Sequence, residues 1–149
     1  MNPSIVKIAV QQARRAYRAD EVPVGAVVFH SKTGEIVARA YNRVESLRDP
    51  TAHAELRAIQ KACKKLKTKF LNGYSLFATL EPCAMCAGAI SWARLDALYY
   101  GAADPKTGAI DQGARVFTHK QTHHKPVVRG GIQADVCGDL MTSFFKGKR

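Results

Sequence analysis

From Ala52 onward the chain switches repeatedly between helical and extended patterning, and this alternation limits the fold more than any other feature. Apolar positions recur at helical spacing from about Ala52 to Leu66, Tyr74 to Leu80 is a strand-like run, about Cys83 to Arg94 predicts a second helix, and Ala97 to Ala102 another strand. Upstream, Ile5, Ile8, Ala9, Ala13, Ala16 and Tyr17 follow helical spacing, with Lys7, Arg14, Arg15 and Arg18 mostly on other faces, so a first amphipathic helix is predicted. Val22 to Phe29 is rich in β-branched residues, breaks at Ser31-Lys32-Thr33-Gly34 and resumes over Glu35 to Tyr41, the pattern of a hairpin. A short strand at Pro126 to Arg129 and a last helix at Ala134 to Lys146 complete the order. A helix and a hairpin followed by alternating helices and strands favour an α/β fold, a sheet with helices on both faces. Such sheets place their sites in the loops at strand ends. Asp49-Pro50-Thr51 predicts the start of the helix that follows it.

No repeat, low-complexity tract or long linker divides the 149 residues, so one domain over 1–149 is expected. The content of 46% hydrophobic and 23% charged residues excludes a disordered chain. No apolar run reaches the roughly 18 residues that span a bilayer. Met1 to Ile8 lacks the apolar stretch and small-residue cleavage site of a signal peptide. A cytoplasmic protein with no membrane partner is expected, its four cysteines being thiols or metal ligands rather than disulfides.

Four residues carry the chemistry. His53 and Glu55 stand at the start of one helix, and Cys83-Ala84-Met85-Cys86 at the start of another. Two cysteines separated by two residues can clamp one tetrahedral ion, at about 2.3 Å per sulfur for zinc. Helix N-termini also favour thiolates. His53 completes three protein ligands, and three ligands with an open position are the pattern of a catalytic zinc. Residues two apart on a helix do not share a face, so Glu55 does not grip the ion beside His53. With the ion off the helix end, Glu55 flanks the open position and can move protons there. A redox pair would leave His53 and Glu55 unexplained. A zinc ribbon needs a second cysteine pair, whereas Cys63 and Cys137 stand singly and are expected as packed thiols.

The charge balance bears on the substrate. Lys and Arg number 23 against 12 acids, a formal +11, which suits a polyanionic partner. Arg57, Lys61, Lys64, Lys65, Lys67 and Lys69 form one basic stretch. Arg115 to Arg129 holds another, and Lys146, Lys148 and Arg149 a third. A small free nucleobase needs no such field, whereas a phosphate backbone gains from it. The competing reading of the first stretch is a solvated helix face.

Thr51-Ala52-His53-Ala54-Glu55, Leu80 to Ala89 with its Glu-Pro-Cys-Ala-Met-Cys core, Glu21-Val22-Pro23-Val24-Gly25-Ala26 and Lys106-Thr107-Gly108 together resemble the bacterial tRNA-specific adenosine deaminases. The resemblance covers nearly the whole chain, and its metal motifs are those of the wider zinc-dependent nucleobase deaminases. It implies a three-layer α/β/α, cytidine-deaminase-like fold with a five-stranded mixed sheet. The implied reaction is hydrolytic deamination of the wobble adenosine to inosine in a tRNA anticodon loop, an arginine tRNA above all, with release of ammonia. It implies a homodimer with one Zn2+ per subunit held by His53, Cys83 and Cys86, with Glu55 catalytic. Asn42 is expected against the bound nucleoside with Val24, Asp104 and Lys106 beside the flipped nucleotide, and Phe145 near the anticodon stem-loop. The chain departs from the family pattern at Ala103, where arginine is common, over Ile110 to Phe117, and at His123-His124-Lys125.

The remaining residues have simpler expected roles. His30 is expected in solvent, and His119, His123 and His124 as RNA-facing or structural. Trp92 and Tyr99 are expected in the core or a dimer contact, and Met85 as a packing residue. Two rival functions share the metal residues: a small-molecule deaminase acting on guanine, cytosine or a nucleotide, and a zinc-stabilised RNA-binding protein without activity.

Overall fold

A computed structural model describes residues 1–148. Arg149, expected in the basic tail, lies outside the described residues. The order is α1 (Pro3–Arg18), β1 (Gly25–His30), β2 (Ile36–Tyr41), α2 (Val44–Leu47), α3 (Ala54–Leu66), β3 (Tyr74–Leu80), α4 (Ala84–Trp92), β4 (Ala97–Ala102), a 3-10 turn (Val116–Thr118), β5 (Val127–Arg129) and α5 (Ala134–Lys146). Asn2 caps α1 by accepting from Ser4 N at 3.0 Å, and Pro3 sits where its missing N–H costs nothing.

The five strands form one mixed sheet in the order β2-β1-β3-β4-β5. β1 runs antiparallel to β2 and β3, while β3, β4 and β5 are parallel. Residues alternate between the two faces. Val27, Phe29 and Phe77 meet Ile5, Val6 and Ala9 of α1 and Cys137 of α5 on one side. Ala26, Val28 and Leu76 meet Ala54, Ala58 and Ala62 of α3 and Ala87 and Ile90 of α4 on the other. The result is the expected three-layer α/β/α arrangement. Helix α1 approaches β1 so closely that a Cβ on Gly25 would stand 2.0 Å from Ala9 O. Only glycine fits there.

Register fixes where the site forms. Gly25 pairs with Tyr41, Ala26 with Ala78, and Leu80 with Ala102. The start of β1 and the ends of β2, β3 and β4 therefore meet at one end of the sheet. Val24, Asn42, Pro82-Cys83 and the loop after Ala102 all leave from that end.

The structure departs from the predicted elements in a few places. Asp49-Pro50-Thr51 does not open α3: Asp49 Oδ1 accepts from Thr51 N and Oγ1 to close a local turn, and His53 is the N-cap. Helix α2 and the 3-10 turn carry no periodicity to find them by. Trp92 is 82% exposed and so is not a core residue. His30 is half-buried, with Nδ1 accepting from Lys32 N and Thr33 N and its ring edge-on to Tyr74. His119 and His124 are engaged within the fold, through Nε2 to Ala114 O and Leu95 O, each at 2.6 Å. Cys137 is buried as expected and Cys63 is half-buried.

Candidate metal centre and cleft

His53 and Cys83 are the N-cap residues of α3 and α4, both in extended backbone, and neither side chain caps its own helix. Freed from capping, both turn toward the space between the helix ends. Cys86 follows in the first turn of α4 and is fully buried. His53 Nδ1 lies 3.6 Å from Cys83 Sγ and 3.6 Å from Cys86 Sγ, and the three donor atoms all lie within 4.8 Å of one another. Zinc–sulfur and zinc–nitrogen bonds meeting at the tetrahedral angle put S and N about 3.6 Å apart. One imidazole nitrogen and two sulfurs at this spacing fit a zinc ion, and among the described residues no fourth His, Cys, Asp or Glu joins the group.

The electrostatics suit thiolate ligation. A hydrogen bond from Cys86, helped by His53, brings the Cys83 thiol down to about 4 against the effect of burial. The bond to Cys83 raises His53, with burial opposing. Glu55 is 4% exposed, and burial pushes its carboxyl up to about 7, with a bond from its own backbone N–H and the His53 charge pulling the other way. A buried carboxyl placed so can take and return a proton near neutral pH.

His53, Glu55 and Cys83 line a cleft of about 1270 Å3 at this end of the sheet, together with Val24, Asn42, Asp104, Lys106 and Phe145. Every predicted substrate residue thus faces the same space as the metal donors, and Cys86 sits behind it. Asn42 is buried and donates through Nδ2 to Val22 O at 3.3 Å. Phe145, 46% exposed, stands on the rim. The Asp104 carboxylate accepts from Lys106 N, Thr107 N and Thr107 Oγ1 and so also closes its own loop at the cleft.

Two buried acids escaped the sequence reading. Glu81, 2% exposed, accepts from the backbone N–H groups of Asp104, Ile110, Asp111 and Gln112 and from Gln112 Nε2, at 2.8 to 3.2 Å. A Cβ on Gly108 would lie 2.6 Å from its Cδ. The whole 104–112 loop, one wall of the cleft, is wound on this carboxylate. Tyr100 Oη donates to Asp111 and ties down the same segment. Glu21, 1% exposed, accepts from Glu45 N and Ser46 N at 2.9 and 2.7 Å, which supplies the N-terminal cap that α2 lacks in its own sequence. For Glu81 the available signal was an acid at the end of an apolar run and just before a proline, Leu80-Glu81-Pro82, whereas Glu21 follows Arg18-Ala19-Asp20 and carries no such mark.

The profile of the cytidine and deoxycytidylate deaminase zinc-binding region matches residues 2–102. A tRNA-specific adenosine deaminase of Agrobacterium fabrum is 45% identical over 144 residues, covering 97% of this chain and 93% of that protein. A structure from a study of A-to-I editing by tRNA:A34 deaminases at the wobble position of transfer RNA superposes with a TM-score of 0.90 at 44% identity, over 93% of this chain and 99% of its own. A guanine deaminase of Bacillus subtilis superposes with a TM-score of 0.63 at 44% identity, over 69% of this chain and 66% of its own.

Proposed function

We propose that this chain, which belongs to the cytidine and deoxycytidylate deaminase zinc-binding family and within it to the tRNA-specific adenosine deaminases, converts the wobble adenosine of a tRNA anticodon loop to inosine, releasing ammonia. The observation that carries the reading is the triangle of His53, Cys83 and Cys86 beside the buried carboxyl of Glu55 on one cleft wall. His53 Nδ1 and the two Sγ atoms would hold one Zn2+. When bound, the ion is a Lewis acid that lowers the pKa of water from 15.7 to about 7.

Glu55 moves the protons. Its carboxylate takes one from the attacking water and passes it to the ring nitrogen beside C6 of adenine. It then moves the proton of the new C6 hydroxyl to the exocyclic nitrogen, and ammonia leaves as the carbonyl forms, so water and adenosine are consumed and inosine and ammonia produced. Burial serves this role by holding the carboxyl near neutral pH, where proton transfer in both directions is efficient. Val24 and Asn42 bound the nucleoside from the β1–β2 side, Asn42 with its amide fixed by Val22 O. Lys106, exposed on the loop that Glu81 holds, faces the phosphates, and Asp104 shapes that loop. Phe145 offers an apolar rim to the loop nucleotides.

The rest of the reading concerns the assembly. The whole of 1–149 acts as one deaminase domain, in the cytoplasm, on an arginine tRNA. Among the described residues no helix is long and apolar enough to cross a membrane. Helix α4 is apolar almost all round, yet Met85 and Trp92 are left uncovered, 38% and 82% exposed. A second copy of the chain seated there completes a homodimer.

The test is to incubate the zinc-loaded protein with total tRNA, with free adenosine and with guanine, mapping inosine by sequencing and following ammonia. New inosine at the wobble position of an arginine tRNA supports the reading. Turnover of guanine with no inosine in any tRNA overturns it in favour of a base deaminase.

A further inference from the structure

We infer that Arg15, Arg39, Arg57 and Lys61 form a phosphate-binding track along the outer edge of β2, which holds the RNA backbone where it leaves the cleft. The inference rests on the tRNA reading above and says which cations serve it.

The track is built from three layers of the fold. On α3, Arg57 and Lys61 follow His53 at four-residue steps, so the stripe that begins at the metal centre carries a cation on each of the next two turns. Both reach across to the free edge of the sheet. Arg57 Nη1 donates to Tyr41 O at 2.6 Å and Lys61 Nζ to Arg39 O at 3.0 Å. From the opposite layer, Arg15 of α1 stands 5.0 Å from the centre of the Tyr41 ring, and Arg57 stands 5.6 Å from it. Arg39 is exposed on the strand itself. Tyr41 leads directly into Asn42, which lines the cleft.

Among the described residues none of these cations has a salt-bridge partner: the one ion pair joins Lys148 to Asp20. Glu21, the acid that acts on Arg57, is already bonded to the α2 backbone. Burial, and then the neighbouring Arg57, Arg15 and Arg43, lower the Lys61 ammonium from its ordinary value. Two hydrogen bonds suffice to protect the edge carbonyls of β2. They do not account for a cluster of repelling charges fixed in place. A string of phosphates at the mouth of the cleft relieves that repulsion, and a single-stranded RNA segment supplies it next to a base drawn into the cleft. The lysines at the far end of the same helix, Lys64 and Lys65 with Lys67 just past it, are exposed and make none of these contacts, which leaves them as solvated surface.

The experiment compares the zinc-loaded wild type with a triple variant, Arg15→Gln, Arg39→Gln and Lys61→Gln, and with a control triple, Lys7→Gln, Arg14→Gln and Lys32→Gln. Each is titrated with a substrate anticodon stem-loop across a salt series, and kcat, KM, zinc content and Tm are recorded. Arg57 is left intact because it is half-buried. The track variant should bind about ten-fold or more weakly, with the slope of log K against log salt shallower by about 2, as roughly three lost single-strand phosphate contacts require. Its kcat at saturating RNA and its zinc content should stay at wild-type values, and the control triple should match the wild type throughout. An unchanged slope and Kd, with or without a fall in Tm, would make these side chains edge protection only and overturn the inference. Equal losses in both triples would overturn it too, in favour of a diffuse field. A wild type that binds the stem-loop without forming inosine would instead defeat the functional reading, and the salt slopes would still decide the track.

Discussion

At Glu55, glutamine keeps the size of the side chain and removes its capacity to carry a proton. Glu55→Gln should retain one zinc per chain and a wild-type Tm while losing about 10²- to 10⁴-fold in turnover, measured by metal analysis beside the inosine rate. A parallel fall in zinc would mark Glu55 as a ligand instead. Glu81 is as deeply buried but serves as a fixed acceptor, so the same change acts differently. Glu81→Gln turns an amide group toward N–H donors and strands several of them, a loss of about 1 to 3 kcal/mol. Because the 104–112 loop carries Lys106, KM for the stem-loop should rise more than kcat falls. The effect also has a pH signature. Burial alone would raise Glu81, but its hydrogen bonds override that and hold it below the ordinary value. Its contribution is therefore fully present above the unfolded-state value of about 4.5 and is lost as pH falls through the lower folded-state value. The Tm gap between wild type and Glu81→Gln should close on acidification through that window.

At the scale of elements, the ion would join two helices whose N-caps are left without side-chain hydrogen bonds. Removing zinc should therefore lower Tm, by the equivalent of about 2.7 kcal/mol where free zinc stood at a hundred times its Kd, and calorimetry with and without chelator measures this. The contact of α1 with β1 has no such reserve. Gly25→Ala puts a Cβ 2.0 Å from Ala9 O and 2.7 Å from Ala13 N, both backbone atoms that no rotamer change can move. A loss of at least about 1 to 3 kcal/mol is expected in a denaturant titration, since α1 must lift off the sheet.

For the whole molecule, shape and charge act together. Four strand ends and two helix starts converge on one end of the sheet to form the cleft, and the chain as a whole carries a net charge of +11. Activity on an anticodon stem-loop should far exceed that on free adenosine and should fall steeply with added salt, and equal rates on the two would argue against RNA as the substrate. The uncovered α4 face gives a separate expectation. If the proposed homodimer forms on this face, Trp92→Asp should shift the sedimentation coefficient from dimer toward monomer, because a charge set in an apolar contact has no partner there.

Local patterning determined the order of elements, and β3, β4 and α5 lie over the predicted residues because their periodicity and breakers are strong and contiguous. The metal donors were legible too, since ligand type and spacing are properties of the chain itself. Helix α2, the true start of α3 at His53 and the work of Glu21 and Glu81 were not. Helix α2 and the two acids depend on hydrogen-bond partners 20 to 40 residues away, as in the bonds from Glu45 to Glu21 and from Gln112 to Glu81, whereas the start of α3 is set by the turn that Asp49 closes with Thr51. Which lysines and arginines form a track was likewise decided by packing, because α1, β2 and α3 bring Arg15, Arg39, Arg57 and Lys61 together only once the sheet has formed.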